Sequence, residues 1–198
     1  MSAQPHHRMT PEEYLVFEEQ SSEKHEYYGG QIVALAGGNQ AHSIICSNLN
    51  ALLHSQLRKR PCVIYTSDMK IRADQPRKYM YPDLAIVCGE SQFEDPTRRV
   101  LLNPAVIIEV LSDSTEQYDR GKKFQYYRSI ATVQEYILVA QDAKHIDHYR
   151  RQSENLWVLT SINGDDGVLE LPTLECRLYL AEIYEKVPFD AGDDTIRD

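Results

Sequence analysis

The sequence predicts an α/β (α+β) protein with three central strands. Apolar residues recur at helical spacing in AHSIICSNLNALLHSQLRKR, and three later runs, CVIYTSDMKIRA, MYPDLAIVCG and PAVIIEVLS, are rich in β-branched residues. A chain of 198 residues, 42% of them hydrophobic, can also bury one sizeable core. We therefore expect a single domain over residues 1–189, followed by a flexible acidic tail at 190–198.

The N-terminal region predicts a helix followed by a β-hairpin. In MTPEEYLVFEEQ, Thr10 is a suitable N-cap, Pro11 suits the first helical position, and Glu13 has the spacing of a capping box. Two strand-like pieces then flank Gly29 and Gly30 in EKHEYYGGQIVALAGG, which is the pattern of a hairpin. The long amphipathic helix follows this hairpin.

The second half of the chain predicts one more central helix and several strands. In STEQYDRGKKFQYYRSI, Ser114 and Gln117 have capping-box spacing. Phe124, Tyr127 and Ile130 recur on one face of this helix. QEYILVA, KHIDHYRR, LWVLTSI and VLEL predict strands, LYLAEIYEKV predicts a short helix, and ADQPRK and GESQFEDPTRR predict loops.

Composition excludes several classes of protein. The longest apolar runs are far shorter than the roughly 20 residues of a membrane helix, and the start MSAQPHHRMT does not resemble a secretion signal. We expect a soluble, cytoplasmic protein without a membrane partner.

The four cysteines form no C-x-x-C pair that would indicate a zinc site: Cys46, Cys62, Cys88 and Cys176. Each lies in an apolar segment, so we expect buried, reduced thiols.

The formal charge of -9 disfavours general attraction to nucleic acid, so any such binding requires a local basic patch. The candidate clusters, which ordinary solvated surface charges explain equally well, are Arg58-Lys59-Arg60, Arg77-Lys78, Arg98-Arg99, Arg120 with Lys122 and Lys123, and Arg150-Arg151.

Two carboxylates lie in apolar strand segments. Asp83 stands at the head of LAIVC, and Glu109 lies inside VIIEVLS. A buried carboxylate is costly unless it is paired, hydrogen-bonded or bound to a metal. For Asp83, a turn or capping role is at least as good an explanation. If the two strands are neighbours, both side chains meet at one end and offer oxygen ligands suited to Mg²⁺.

The helix after Glu109 supplies a lysine for the same site. Asp119, Lys123 and Tyr127 recur every four residues and share one face, so a helix returning over its own strand brings Lys123 towards Glu109. The alternative is an ordinary surface ion pair between Asp119 and Lys123. Lys122 points elsewhere, towards solvent or a bound polyanion.

The ordered motifs YPDLAIV, VIIEVLS, STEQYDRGKKFQYY and VQEYILV resemble the Uma-type restriction endonuclease family, a branch of the PD-(D/E)xK nuclease superfamily. The similarity includes EYYGGQIVALAGGNQAHSIICSNL and TSDMKIR, and so extends over most of the chain. The resemblance implies a restriction-endonuclease-like mixed central sheet flanked by helices. It also implies a Mg²⁺ site on the strands that carry the two carboxylates.

By this resemblance Asp83 and Glu109 are metal ligands, and the backbone carbonyl of Val110 is a candidate third ligand. Mn²⁺ is a candidate substitute for Mg²⁺. In the superfamily pattern the catalytic lysine follows the second acid by two residues, a position held here by Leu111. The resemblance therefore requires a lysine on the following helix, and Lys123 matches it.

Two further residues match the family pattern. Glu26 precedes the glycine pair of the hairpin, and His42 begins the long helix. Each is a candidate to complete the metal shell or to contact phosphate. The alternatives are an ion pair within the hairpin for Glu26 and a helix-terminal hydrogen bond for His42.

The leading functional hypothesis is a Mg²⁺-dependent endonuclease that hydrolyses DNA, with Asp83, Glu109 and Lys123 as catalytic residues. A homodimer is expected by analogy, because two related sites cut both strands of a duplex most simply. The alternative is a catalytically inactive nuclease-fold protein that binds nucleic acid or a protein partner. A small-molecule hydrolase with His42 as base is a weaker alternative, because the chain has no G-x-S-x-G motif.

Overall fold

The computed structural model of the protein describes residues 8–74, 77–112 and 115–189. The helices are α1 (Pro11–Gln20), α2 (Gln40–Leu57), α3 (Glu116–Tyr118), α4 (Phe124–Tyr127) and α5 (Leu180–Ile183), with a π-helix (Asp119–Lys123) between α3 and α4. The strands are β1 (His25–Tyr28), β2 (Gln31–Ala34), β3 (Cys62–Thr66), β4 (Lys70–Asp74), β5 (Arg77–Met80), β6 (Leu84–Cys88), β7 (Val100–Leu101), β8 (Val106–Val110), β9 (Glu135–Val139), β10 (His145–Arg151), β11 (Trp157–Asn163), β12 (Val168–Leu171) and β13 (Cys176–Tyr179).

The predicted fold class is confirmed, because mixed sheets are flanked by helices. The central sheet has six strands in the order β11-β10-β9-β8-β6-β3. Strands β8 and β9 run parallel, whereas β6 is antiparallel to both β3 and β8. As expected, β6, which begins directly after Asp83, is therefore a neighbour of β8, which carries Glu109.

A second sheet has five strands in the order β2-β1-β5-β4-β7. This sheet corrects two predictions. The run CVIYTSDMKIRA is not one strand, because a turn in which the Met69 amide donates to the Thr66 carbonyl separates β3 from β4, and these lie in different sheets. The segment ADQPRK is not simply a loop, since Asp74 pairs with Arg77 across the β4–β5 hairpin.

The N-terminal predictions are confirmed in detail. The Thr10 hydroxyl accepts from the amide of Glu13, whose carboxylate accepts from the amide of Thr10. Gly29 and Gly30 join β1 to β2 with φ angles of 57° and 108°, a left-handed conformation that glycine adopts without steric cost. The two glycines therefore fix the hairpin that holds Glu26.

Alternation along β8 divides the protein into two apolar layers. Val106, Ile108 and Val110 face α2, which buries its own apolar stripe against them. The stripe consists of Ile45, Leu49, Leu53 and Leu57. Ile107 and Leu111 face the opposite layer. Glu109 belongs by alternation to this second face, where the helical segment 116–127 packs.

The helix predicted after β8 is confirmed from Glu116 to Tyr127, and Phe124, Tyr127 and Ile130 are buried as expected. Ser114, the expected N-terminal cap, lies outside the described residues, as does the tail expected at 190–198. LYLAEIYEKV is only in part a helix, because its start belongs to β13, which pairs with β12.

The prediction of four reduced, buried thiols is wrong. Cys62 and Cys88 lie directly opposite each other on antiparallel β3 and β6 and form a disulfide. Cys46 is a half-buried free thiol, and Cys176 is a buried one. The sequence shows two separated cysteines in apolar runs, whereas the disulfide bond depends on strand register.

In the described ranges, no helix has both the length and the apolar character needed to cross a bilayer.

Candidate active site

A cleft of about 700 Å³ lies at the end of the central sheet where β6 begins and β8 ends. The six residues that the sequence predicts for the site all line this one cleft: Glu26, His42, Asp83, Glu109, Val110 and Lys123. They come from five separate segments of the chain, so the fold brings together residues that are up to about 100 positions apart.

Asp83 is fixed by the neighbouring strand. Leu84 pairs with Ile108, which places Asp83 beside the end of β8. The Val110 amide donates to Asp83 Oδ2 over 2.7 Å. The turn interpretation of Asp83 is thus incomplete, because its side chain joins two central strands. Its other oxygen, Oδ1, lies 3.2 Å from His42 Nε2.

Glu109 and Lys123 form a buried ion pair. Lys123 Nζ lies 2.8 Å from Glu109 Oε1, and the two residues are only 5% and 4% exposed. The π-helix directs Lys123 inwards, while its neighbour Lys122 is exposed. π-helical turns are frequent at functional sites. The helix therefore brings an ammonium group to the carboxylate of the strand that precedes it.

Leu111 explains why this lysine must come from the helix. Side chains two residues apart on a strand share a face, so position 111 belongs to the face of Glu109. Leu111 is 3% exposed and packs in the apolar cluster that includes Phe124 and Tyr127. The helix that covers this cluster also carries Lys123. Lys123 thus approaches Glu109 from the same face of β8 from which a lysine at position 111 would approach it.

Glu26 enters the cleft from β1. Its Oε1 accepts from the Tyr81 amide over 2.9 Å and lies 3.4 Å from Lys123 Nζ. The Tyr28 hydroxyl donates to the other oxygen of Glu26. Within the described residues, the ionic partner of Glu26 is therefore Lys123 of the π-helix and not a residue of the hairpin.

Asp119 is a cleft residue that sequence reasoning did not include in the site. Its Oδ1 lies 3.6 Å from Lys123 Nζ, and the residue is 3% exposed. The i,i+4 spacing was visible in the sequence, but the surface alternative is wrong because both residues are buried. The cluster consequently places three carboxyl groups, those of Glu26, Glu109 and Asp119, around one ammonium.

Burial and charge shift the protonation of this cluster. Burial raises the pKa of Glu109 well above its usual range, a shift that the Lys123 ammonium opposes without cancelling it. Burial also raises the pKa of Asp119. For Lys123 itself, burial lowers the pKa, but the surrounding carboxyl groups outweigh burial and raise it well above its usual range. Lys123 is therefore a charged group at neutral pH.

His42 lies in the first turn of α2, whose N-cap is Asn39. The Asn39 side chain accepts a hydrogen bond from the His42 amide, so His42 takes part in the helix-terminal hydrogen bond through its backbone. The imidazole of His42 faces Asp83. The hydrogen bond to Asp83 raises the pKa of His42 above its ordinary 6.5, against the opposing effect of burial. A Cβ at Gly38 would lie 2.6 Å from His42 Nδ1, so glycine there leaves room for the imidazole.

The donor set of the cleft fits a hard divalent cation. The carboxyl groups of Asp83 and Glu109 are oxygen donors of the kind that Mg²⁺ and Mn²⁺ prefer. With Glu23, Glu26 and Asp119, five carboxyl groups line the cleft, and those of Glu26, Glu109 and Asp119 surround the buried ammonium of Lys123. Because buried like charges destabilise one another, a cation between Asp83 and Glu109 would relieve the excess of negative charge.

Most of the basic clusters identified in the sequence contain an arginine that is paired with a carboxylate. Arginines in four of them pair with carboxylates at 2.7 to 3.0 Å: Arg60 with Glu175, Arg77 with Glu12, Arg99 with Glu19, and Arg120 with Glu116. Lys78 is buried with its ammonium 4.2 Å from the centre of the Tyr126 ring. These contacts lower the positive potential that each cluster offers to a polyanion.

Comparison with known proteins is consistent with this architecture. The Uma2 family, described as "Putative restriction endonuclease", matches residues 11–181. Two uncharacterized proteins of Synechocystis sp. are each 35% identical to the chain: sll1609 over 162 residues, covering 82% of this chain and 92% of that protein, and slr1290 over 185 residues, covering 93% and 96%.

A crystal structure of a putative nuclease belonging to DUF820, from Anabaena variabilis ATCC 29413, superposes with a TM-score of 0.72. It is 17% identical in sequence, and the match covers 87% of this chain and 96% of that one. At this level of identity the likeness establishes the fold.

Proposed function

The chain belongs to the Uma2 family of putative restriction endonucleases, and we propose that it is a Mg²⁺-dependent endonuclease that hydrolyses phosphodiester bonds in DNA. The observation that supports the proposal most is the contact between Lys123 and Glu109 in a cleft that Asp83 also lines. A carboxylate directly before β6, a carboxylate within β8 and a lysine thereby converge, although the usual lysine position holds leucine.

In this proposal Asp83 and Glu109 hold the cation, with the carbonyl of Val110 as a third donor. The bound cation supplies a water of lowered pKa and offsets charge on the phosphate. Mn²⁺ substitutes for Mg²⁺ because both accept oxygen ligands. The Val110 amide and His42 orient Asp83 through its two oxygens, so each carboxylate oxygen has a defined partner before substrate binds.

Lys123 acts as a charged hydrogen-bond donor. The carboxyl groups around it keep its pKa high, so it does not abstract a proton at neutral pH. We propose that its ammonium orients the attacking water and stabilises negative charge on the phosphate. Glu26 and Asp119 are positioning residues that hold the ammonium towards Glu109.

We also propose that the protein acts as a homodimer, since two related sites cut both strands of a duplex most simply. Light scattering coupled to size-exclusion chromatography measures this directly, with a dimer mass expected. A monomer at concentrations that support cleavage of both strands would contradict it.

The activity is tested by incubating supercoiled plasmid with the purified protein and Mg²⁺ or Mn²⁺. Nicked or linear products are expected from the native protein, and no products from Asp83→Asn, Glu109→Gln or Lys123→Met. Lys122→Met is the matched control, because Lys122 is the exposed neighbour on the same helical turn, and it should retain cleavage. Circular dichroism verifies that each variant is folded.

Two outcomes would overturn the proposal. Undiminished cleavage in the three site variants would show that the chemistry lies elsewhere. Absence of cleavage by the native protein, together with no Mg²⁺ or Mn²⁺ binding by calorimetry at millimolar concentration, would support the catalytically inactive protein that binds nucleic acid or a protein partner.

A further inference from the structure

The first two turns of α2 carry a ligand set that the proposed nuclease chemistry does not use in full. His42 and Cys46 are four residues apart on α2 and therefore lie on the same helical face. Asp83 meets this face from the start of β6. One ligand atom from each of the three residues lies within 4.8 Å of the other two. Across the described ranges, no other set of three His, Cys, Asp or Glu residues is grouped as closely.

Individual contacts define this cluster. Cys46 Sγ lies 3.6 Å from His42 Nδ1, and His42 Nε2 lies 3.2 Å from Asp83 Oδ1. All three residues are partly buried, so solvent and small ions can reach them. The buried thiol of Cys176 instead donates to the backbone carbonyl of Leu174 over 3.4 Å. Cys46 therefore occupies a chemically distinct environment.

We propose that His42, Cys46 and Asp83 bind Zn²⁺, with a water molecule at the remaining position. Zn²⁺ accepts cysteine sulfur, histidine nitrogen and carboxylate oxygen as ligands, whereas Mg²⁺ takes oxygen ligands almost exclusively. On binding, Cys46 releases its thiol proton to solvent and coordinates as the thiolate. The thiolate and the Asp83 carboxylate together balance the charge of the cation.

Zn²⁺ binding does not require nuclease activity, but the effect of Zn²⁺ on cleavage rests on the proposed function. Asp83 is common to the Zn²⁺ ligands and to the proposed Mg²⁺ ligands, so the two cations compete for it. Zn²⁺ should inhibit Mg²⁺-dependent cleavage. The variant Cys46→Ser, which leaves Asp83 and Glu109 in place, should retain cleavage and lose much of this inhibition.

Binding is tested with Co²⁺, a spectroscopic probe for zinc sites, on the full-length protein in the absence of DNA. A thiolate bound to Co²⁺ gives a ligand-to-metal charge-transfer band in the near ultraviolet. We expect this band in the native protein and its displacement by Zn²⁺. Cys46→Ser should lose the band, and the Kd for Zn²⁺ measured by competition with a chromogenic chelator should rise at least about tenfold.

The matched control is Cys176→Ala, which removes the other free thiol and should leave the band intact. If that variant does not fold, alkylation followed by peptide mapping replaces it, and Zn²⁺ should protect Cys46 from the reagent. A band that survives in Cys46→Ser, no band in the native protein, or equal alkylation of Cys46 with and without Zn²⁺ would overturn the proposal. Because the Co²⁺ band, the Kd for Zn²⁺ and the alkylation of Cys46 are all measured without cleavage, failure of the nuclease proposal leaves these binding results interpretable.

Discussion

Lys123 Nζ lies 2.8 Å from Glu109 Oε1, although the two residues belong to different elements and lie 14 positions apart in the sequence. The contact depends on the helical segment 116–127 returning over the face of β8 that carries Glu109. Two further carboxyl groups hold the same ammonium at 3.4 and 3.6 Å. The lysine is thus fixed in position by the cluster around it.

Lys123→Met should destabilise the protein by about 3–5 kcal/mol at neutral pH, because it leaves buried carboxyl groups without their cationic partner. Urea unfolding followed by circular dichroism measures this loss. Millimolar Mg²⁺ should recover part of it if the cation binds the same carboxyl groups. The exposed Lys122→Met should change stability by no more than about 0.5 kcal/mol. A loss for Lys123→Met below about 1 kcal/mol, the value of a surface ion pair, would contradict the buried cluster.

The imidazole of His42 should titrate with a pKa above 6.5, because its hydrogen bond to Asp83 favours the charged form. A raised pKa in the folded state contributes stability that is fully present below pH 6.5 and is lost as the pH rises through the folded pKa. NMR titration of the His42 ring in the presence of a chelator measures the pKa, and Asp83→Asn should lower it.

The control for this titration is Asp68→Asn, which removes an exposed carboxylate that pairs with Lys24 and should leave the pKa of His42 unchanged. An equal pKa for His42 in the native protein and in Asp83→Asn would contradict the contact between the imidazole and Asp83.

The protein purified without reductant should show two titratable thiols when denatured, and four after reduction. Reduction, or the double substitution Cys62→Ser and Cys88→Ser, should lower the free energy of unfolding by roughly 3 kcal/mol, as expected for a closed loop of this size. Four thiols before reduction would rule out the disulfide between β3 and β6.

Much of the fold was predictable from local signals. Capping residues marked α1, the glycine pair marked the β1–β2 hairpin, and β-branched runs marked β6 and β8. The division of CVIYTSDMKIRA into two strands was not predictable, because its turn lacks glycine or proline and only tertiary packing assigns the halves to different sheets. The pairing of Cys62 with Cys88 likewise depends on register.

The site was predictable to the extent that its residues interrupt apolar patterns. Glu109 stood out because a carboxylate inside a strand needs a partner, and Lys123 followed from helical spacing. Asp119 and Cys46 also have i,i+4 partners, but nothing in the sequence distinguishes a buried pair from a solvated one. Their environment depends on β1, β6 and β8 converging from distant parts of the chain.

Cation binding by Asp83 and Glu109 is tested most directly by anomalous diffraction from crystals of the protein soaked in Mn²⁺. We expect an anomalous peak within coordinating distance of the carboxylate oxygens of Asp83 and Glu109, with Lys123 Nζ no farther than one intervening water. Under millimolar Mn²⁺, no peak at these carboxylates, or a peak coordinated only by residues outside the cleft, would contradict it.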